Sequence, residues 1–447
     1  MAAIVTTKLR THNAALLENE WSVSNQYFFL AIGKQSAWSD EAVPDTTTES
    51  FETVDIGSYW RDMIAAKRIA TTDVETTISR INWTTGTVYD MYDHTDTALF
   101  TKNFYVMTTD FNVYKCIRNG EAIDAGSAST TQSTVKPDHT TPNTTPLESD
   151  GYQWRYLYTI STADIASYLV TDWMPVMTTG SSAVDTSAGT VHVCTVTAQG
   201  SGYTNGTVAL TVVSGDGSGF EANATISGGI VTDVVISNGG SGYTQLTLSL
   251  TSGSGTGATF KPIFSPGGKL TGRGHGYSLE KELGGFYRIM NVKLEFGEST
   301  TISTANDYRR IMIIKNPYLW GTTSLATGTN YRQTQRLTVG SISGTFTADE
   351  VVTGGSSAAT AKVVEWDATN SFLYLNDSDV VEGIKSAWTG GETLTGGSSG
   401  ATATYTDASV DNPDLEPGSG DMMYVENRVA ITRATDQTED FKIIIES

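Results

Sequence analysis

The 447-residue chain carries two cysteines, ten prolines, five histidines and only 28 basic residues. Each shortage excludes something. Cys116 and Cys194 lack metal-type spacing, so neither a disulfide framework nor a zinc site is expected. His12, His94, His139, His192 and His275 include no pair at the i, i+4 spacing of a helical metal site, and no HExxH occurs. A GxSxG elbow and a Walker loop are also missing. Gly272-Arg273-Gly274-His275-Gly276 is glycine-rich, but no Lys-Ser/Thr follows, so it reads as a simple turn. No run approaches the length of a membrane span, and MAAIVTTKLRT lacks the apolar stretch of a signal peptide. With 49 acidic residues the formal net charge is -21, which repels phosphate backbones and argues against nucleic acid as a partner. The expectation is a protein that is not an enzyme and holds no metal or cofactor.

What is present favours β structure. Hydrophobic residues make up 38% of the chain, enough for real cores, and 44 glycines separate Thr- and Val-rich runs. Strands are expected at Ala3–Leu9, 26–33, 104–117, Tyr152–Ile160, Arg309–Lys315, Met422–Val425 and Phe441–Ile445. A short helix is expected from Ser58 to Arg68, and another after Ser161. The predicted fold is a mainly β protein, a β-sandwich core with a few short helices.

Two duplications interrupt that core. Residues 196–203 read VTAQGSGY and 236–243 read ISNGGSGY, placing Tyr203 and Tyr243 at equivalent positions. Residues 346–361 read FTADEVVTGGSSAATA and 388–403 read WTGGETLTGGSSGATA, with Glu350 and Glu392 as the shared acid. Two copies suit a compact β module better than an extended solenoid. The resulting division is core at 1–177, a Gly-rich insertion at 178–267, core at 268–336, an acidic insertion at 337–410 and core at 411–447. Residues 341–421 hold 13 acidic against 2 basic residues, so much of the charge lies in the second insertion.

Among possible sites, Asp377/Asp379/Glu382 and Asp411/Asp414/Glu416 have oxygen ligands for calcium but not EF-hand spacing, and read as solvated loops. Trp154, Tyr156 and Tyr158 alternate with Gln153, Arg155 and Leu157, which suits core packing or a protein interface. Tyr203 and Tyr243 read as structural, with sugar stacking as the other role. The polar block from Glu426 to Glu439 reads as a structural or interface loop between two strands.

Several stretches form an ordered set: residues 3–11, the 28–33 strand leading to Ala37-Trp38-Ser39, and Tyr114-Lys115-Cys116. Residues 150–157 (DGYQWRYL) follow, then 307–311 (DYRRI) with Asn316-Pro317, and last 422–428 (MMYVENR) with Asp436-Gln437-Thr438-Glu439. In this order they resemble the baseplate wedge protein of T-even-type contractile-tailed bacteriophages, the gene product eight family. The final block is the most specific, and the match covers the core pieces without the insertions. The resemblance implies a non-enzymatic virion protein of the tail baseplate, made in the host cytoplasm. It implies a homodimer whose partners are other wedge subunits, in an assembly that rearranges on tail contraction. Candidate interface residues are Glu426, Asn427, Arg428, Trp154 and Arg155. The alternative function is a receptor- or carbohydrate-binding β protein of the tail, with host-surface glycans contacted through the insertions.

Overall fold

The structure is a computed structural model. It describes residues 7–47, 53–93, 96–120, 130–141, 145–177, 189–265, 278–295, 298, 301–303, 306–376, 388–434 and 436–446. His94, residues 272–276 and the triplet Asp377/Asp379/Glu382 lie outside them. Strands take 48% of the residues and helix 11%, so the chain is mainly β, built of several antiparallel sheets, with four α-helices among the described residues. It divides into two compact units. One comprises Met1–Leu16, Glu75–Met290 and Ile443–Ser447, and the other Leu17–Val74 and Asn291–Lys442.

The second unit holds a five-stranded antiparallel sheet. Its order is Asn330–Arg332, Met63–Ile69, Phe28–Gly33, Tyr308–Lys315 and Asp421–Ile431. Every residue of Phe28–Gly33 is buried, as the unbroken apolar run FFLAIG requires of a central strand. Phe29, Ala31, Met312 and Ile314 pack with Trp60, Tyr331 and Leu415 to form the core beneath it.

The acidic insertion is a closed six-stranded barrel. Around it run Gln335–Ser343, Phe372–Asn376, Thr360–Asp367, Val351–Gly354, Thr393–Gly396 and Thr402–Asp411, the last pairing again with the first. Closure leaves no free sheet edge. The two copies are locked by an exchange of acids. Glu350 accepts hydrogen bonds from Ser398 N (3.1 Å), Ser399 N (2.9 Å) and Ser399 Oγ (2.8 Å), all in the other copy's turn. Glu392 accepts from Ser356 N (3.0 Å), Ser357 N (2.9 Å) and Ser357 Oγ (2.9 Å). Both are buried, at 5% and 4% exposure. A Cβ on Gly354 would lie 2.6 Å from Glu392 Oε2, and one on Gly396 2.6 Å from Glu350 Oε2. Hence the Gly-Gly-Ser-Ser turn of both copies: the first glycine admits the carboxylate and the serines bind it.

In the first unit, the Gly-rich duplication is closed by a similar exchange. The last strand of the first copy, Ser218–Ser227, pairs with the first of the second, Ile230–Ser241. The last strand of the second, Thr256–Phe264, returns to the first of the first, Val191–Ser201. The same unit holds a three-stranded sheet of Tyr105–Met107, Asn112–Asn119 and Tyr152–Thr159. Here Lys115 faces Arg155 and Cys116 faces Trp154. Lys115 is fully buried and forms an ion pair with Glu282, itself 2% exposed, under the Tyr92 ring.

Three local expectations are corrected. Residues 7–9 belong to a helix, Thr7–Ser22, that buries Thr11, Ala14 and Trp21; the run AALLENE has high helix propensity. The expected Ser58–Arg68 helix ends at Arg61, having begun at Thr53, and Met63–Ile69 is a strand. Burial between two neighbouring strands there overrides the helical spacing. On the 152–159 strand Arg155 and Leu157 are as fully buried as Trp154, in keeping with core packing. Residues 426–431 are not a loop but continue the Asp421–Ile431 strand.

Candidate interface site

Asp421–Ile431 lies at the end of its sheet, and among the described residues only Tyr308–Lys315 pairs with it. An edge strand with one solvated side alternates apolar and polar residues, which is why the block resembled a loop from its composition. Tyr424, Glu426 and Arg428 stand two residues apart and share a face. Tyr424 donates its hydroxyl to Glu426 Oε2 (2.8 Å), and Arg428 Nε donates to Glu426 Oε1 (2.9 Å). Glu426 thus holds both neighbours along the strand.

Asn427 points to the other side and is fully engaged. Its Oδ1 accepts from Arg310 Nε (2.8 Å), and its Nδ2 donates to Asp45 O (2.8 Å). Arg310 also donates to Asp62 Oδ2 (3.0 Å) and lies 4.6 Å from the Tyr59 ring centroid. Burial pushes the Asp62 carboxyl up, against the opposing pull of Arg310 and Lys34. Burial also holds the Lys34 ammonium below its usual range, with Asp62 opposing and the Arg310, Lys362 and Arg309 charges adding to it. Lys34 lies 5.0 Å from the Trp38 ring centroid, and Trp38 Nε1 donates to Arg428 O (2.7 Å).

The strand is irregular at this point. Arg310 faces Asn427 and Tyr308 faces Ile431, so three residues of one strand oppose one of the other. Such a bulge bends an edge and limits its pairing with another strand. Met423 and Val429, flanking the charged row, are 55% and 54% exposed.

Of the five candidate interface residues, three therefore lie together on this strand, with Arg428 exposed and Glu426 and Asn427 half-buried. Trp154 and Arg155 belong to the first unit and are both fully buried, with no surface of their own to offer a partner. Sequence reasoning missed Met423, Val429 and Trp38. Exposed apolar residues beside a charged row were the available signal for the first two, whereas the Trp38 contact spans 390 residues and leaves none.

Tyr203 and Tyr243 are 6% and 3% exposed. Their hydroxyls accept from Ala258 N (3.0 Å) and Phe220 N (3.4 Å), so they hold the two copies together rather than presenting a ring for stacking. The Asp411/Asp414/Glu416 carboxylates are also occupied. Asp411 pairs with Arg332 and Arg336, Asp414 accepts from Arg332 N (2.6 Å), and Glu416 accepts from Gly321 N (2.8 Å). No cluster of three metal-ligating side chains occurs among the described residues, and no described helix is long and apolar enough to cross a membrane.

The chain matches no protein-family model, and no curated protein matches it.

Proposed function

We propose that the protein is a structural virion protein, a wedge subunit of a contractile phage tail's baseplate. On this reading it performs no bond chemistry. It acts as a homodimer through contacts with other wedge proteins, made during assembly and remade on contraction.

The observation that carries the reading is how the resembling stretches meet. In the second unit, Phe28–Gly33 pairs residue by residue with 310–315, Arg310 binds Asn427, and Trp38 binds Arg428. Asn316 Oδ1 accepts from Tyr27 N (2.8 Å), at the end of the same strand pair. In the first unit, Tyr114-Lys115-Cys116 pairs with Tyr156, Arg155 and Trp154. Stretches far apart in the chain thus form two frameworks, and both duplications lie outside them. That is the pattern expected of a common scaffold carrying separate additions.

The test is assembly. Light scattering of the purified full-length protein should give twice the chain mass, and the protein should co-sediment with tail particles when they are formed in its presence. A monomer that never associates with tail particles contradicts the reading.

A further inference from the structure

The helix Thr7–Ser22 buries Thr11, Ala14 and Trp21. Its other side carries a second, uncovered apolar row. Leu9 and Leu16 stand seven residues apart, and Val23 follows seven residues later, its N–H still donating to Asn19 O (3.1 Å). The three are 48%, 49% and 52% exposed. Seven residues make almost two helical turns, so the period of the helix alone sets them in line. His12, Asn13, Asn19 and Glu20 lie between them and are exposed as well. Such a row, apolar at heptad spacing with polar residues between, is what a helix presents to another helix.

The row is complementary to itself when reversed. A second copy turned end for end about Leu16 sets Leu9 beside the partner's Val23 and Leu16 beside the partner's Leu16. It also sets His12 beside the partner's Glu20 and Asn13 beside the partner's Asn19. Apolar residues then meet apolar ones, and the carboxylate meets an imidazole donor rather than another acid. Glu20 already lies 2.9 Å from Lys315 Nζ, but its side chain is 49% exposed and a carboxylate accepts more than one hydrogen bond. The parallel arrangement would put Glu20 against the partner's Glu20 and align the two helix dipoles, and both effects oppose it.

We propose that two copies of this chain join through an antiparallel pairing of their Thr7–Ser22 helices, centred on Leu16. The contact is isologous, as a two-fold dimer requires. It rests on the homodimer of the proposed function and assigns that dimer a surface. One helix pair of this length buries less than the ~1,200 Å² of a standard interface, so the dimer should dissociate at about micromolar concentration.

Sedimentation of the full-length protein over a range of concentrations, beside cysteine cross-linking, tests it. Cys116 and Cys194 are buried, so the native chain should give no cross-link under mild oxidation. Leu16→Cys, on the two-fold axis, should form a disulfide-linked dimer, and Leu9→Cys alone should not. A chain carrying both Leu9→Cys and Val23→Cys should cross-link. Those two positions are about 20 Å apart along one helix, so a disulfide between them must join two chains. Leu16→Glu should weaken the dimer by about tenfold or more while leaving the thermal midpoint in place, because Leu16 is exposed. A wild-type dimer unchanged by Leu16→Glu, or one cross-linked by Leu9→Cys alone and not by Leu16→Cys, overturns the inference and leaves the homodimer standing on another surface. A wild-type chain that is monomeric at every concentration overturns the inference and the homodimer together, and co-sedimentation with tail particles then judges the baseplate role by itself.

Discussion

Glu350 and Glu392, one from each copy of the acidic duplication, each accept hydrogen bonds from the turn that follows the other. Each also accepts from a backbone N–H in its own copy, Thr347 N for Glu350 and Thr389 N for Glu392, both at 2.7 Å. Replacing either by Ala removes the shared acceptor from several part-buried N–H groups at once. A loss of about 2–4 kcal/mol is expected for each single variant. Urea unfolding measures it, and hydrogen exchange at the Ser398 and Ser399 amides in Glu350→Ala, or at Ser356 and Ser357 in Glu392→Ala, should accelerate locally.

The same pair sets a pH dependence. Burial alone would raise both carboxyls, but the backbone and serine hydrogen bonds outweigh it and leave both below the usual range. A group whose folded pKa is depressed stabilises the fold above its unfolded value, near 4.3, and loses that contribution as pH falls through the folded value. The barrel should therefore hold its stability from pH 7 to about 5 and lose it below about 4. Melting temperature against pH reads this directly. A Glu350→Gln/Glu392→Gln double variant should be less stable at neutral pH and show a flatter acid limb.

Gly354→Ala and Gly396→Ala should each destabilise the barrel by about 1–3 kcal/mol, through overpacking rather than loss of backbone freedom. The new methyl would meet Ser357 Oγ at 2.4 Å in the first case and Ser399 Oγ at 2.5 Å in the second. Thermal denaturation checks the cost, and combining Gly354→Ala with Glu392→Ala should cost less than the sum of the two.

On the edge strand, stability and assembly should separate. Asn427→Ala removes partners from Arg310 and Asp45 and should cost about 1–3 kcal/mol. Arg428→Ala removes an exposed ion pair with Glu426 and should cost under about 1 kcal/mol. Any loss of tail incorporation in Arg428→Ala would then report an interface rather than unfolding. Chemical denaturation of both variants, beside co-sedimentation with tail particles, separates the two effects.

Much of this organisation was legible in the residues. Val- and Thr-rich runs between glycines gave the strands, Ser161 gave the cap of the Thr162–Tyr168 helix, and the repeated Glu with Gly-Gly-Ser-Ser marked the barrel's two copies. The exchange between copies was not legible, because a repeat shows which residues recur but not that each copy serves the other. Only the second half of the edge strand, 426–431, was misread, because its solvated face is polar, as in a loop. Lys115 and Arg155, charged residues in a fully buried setting, gave no sequence sign of that burial. Lys115 is accommodated by Glu282, 167 residues away in the chain. At the candidate site Glu426, Asn427 and Arg428 could be singled out in advance, but not the Arg310, Asp45 and Trp38 contacts that position them.

Electron cryo-microscopy of contractile tail particles assembled with this protein tests the central claim most directly. The account predicts paired copies of the two-unit chain in the baseplate, with the six-stranded barrel recognisable in each. Complete tails whose baseplates contain no density for this chain would contradict it.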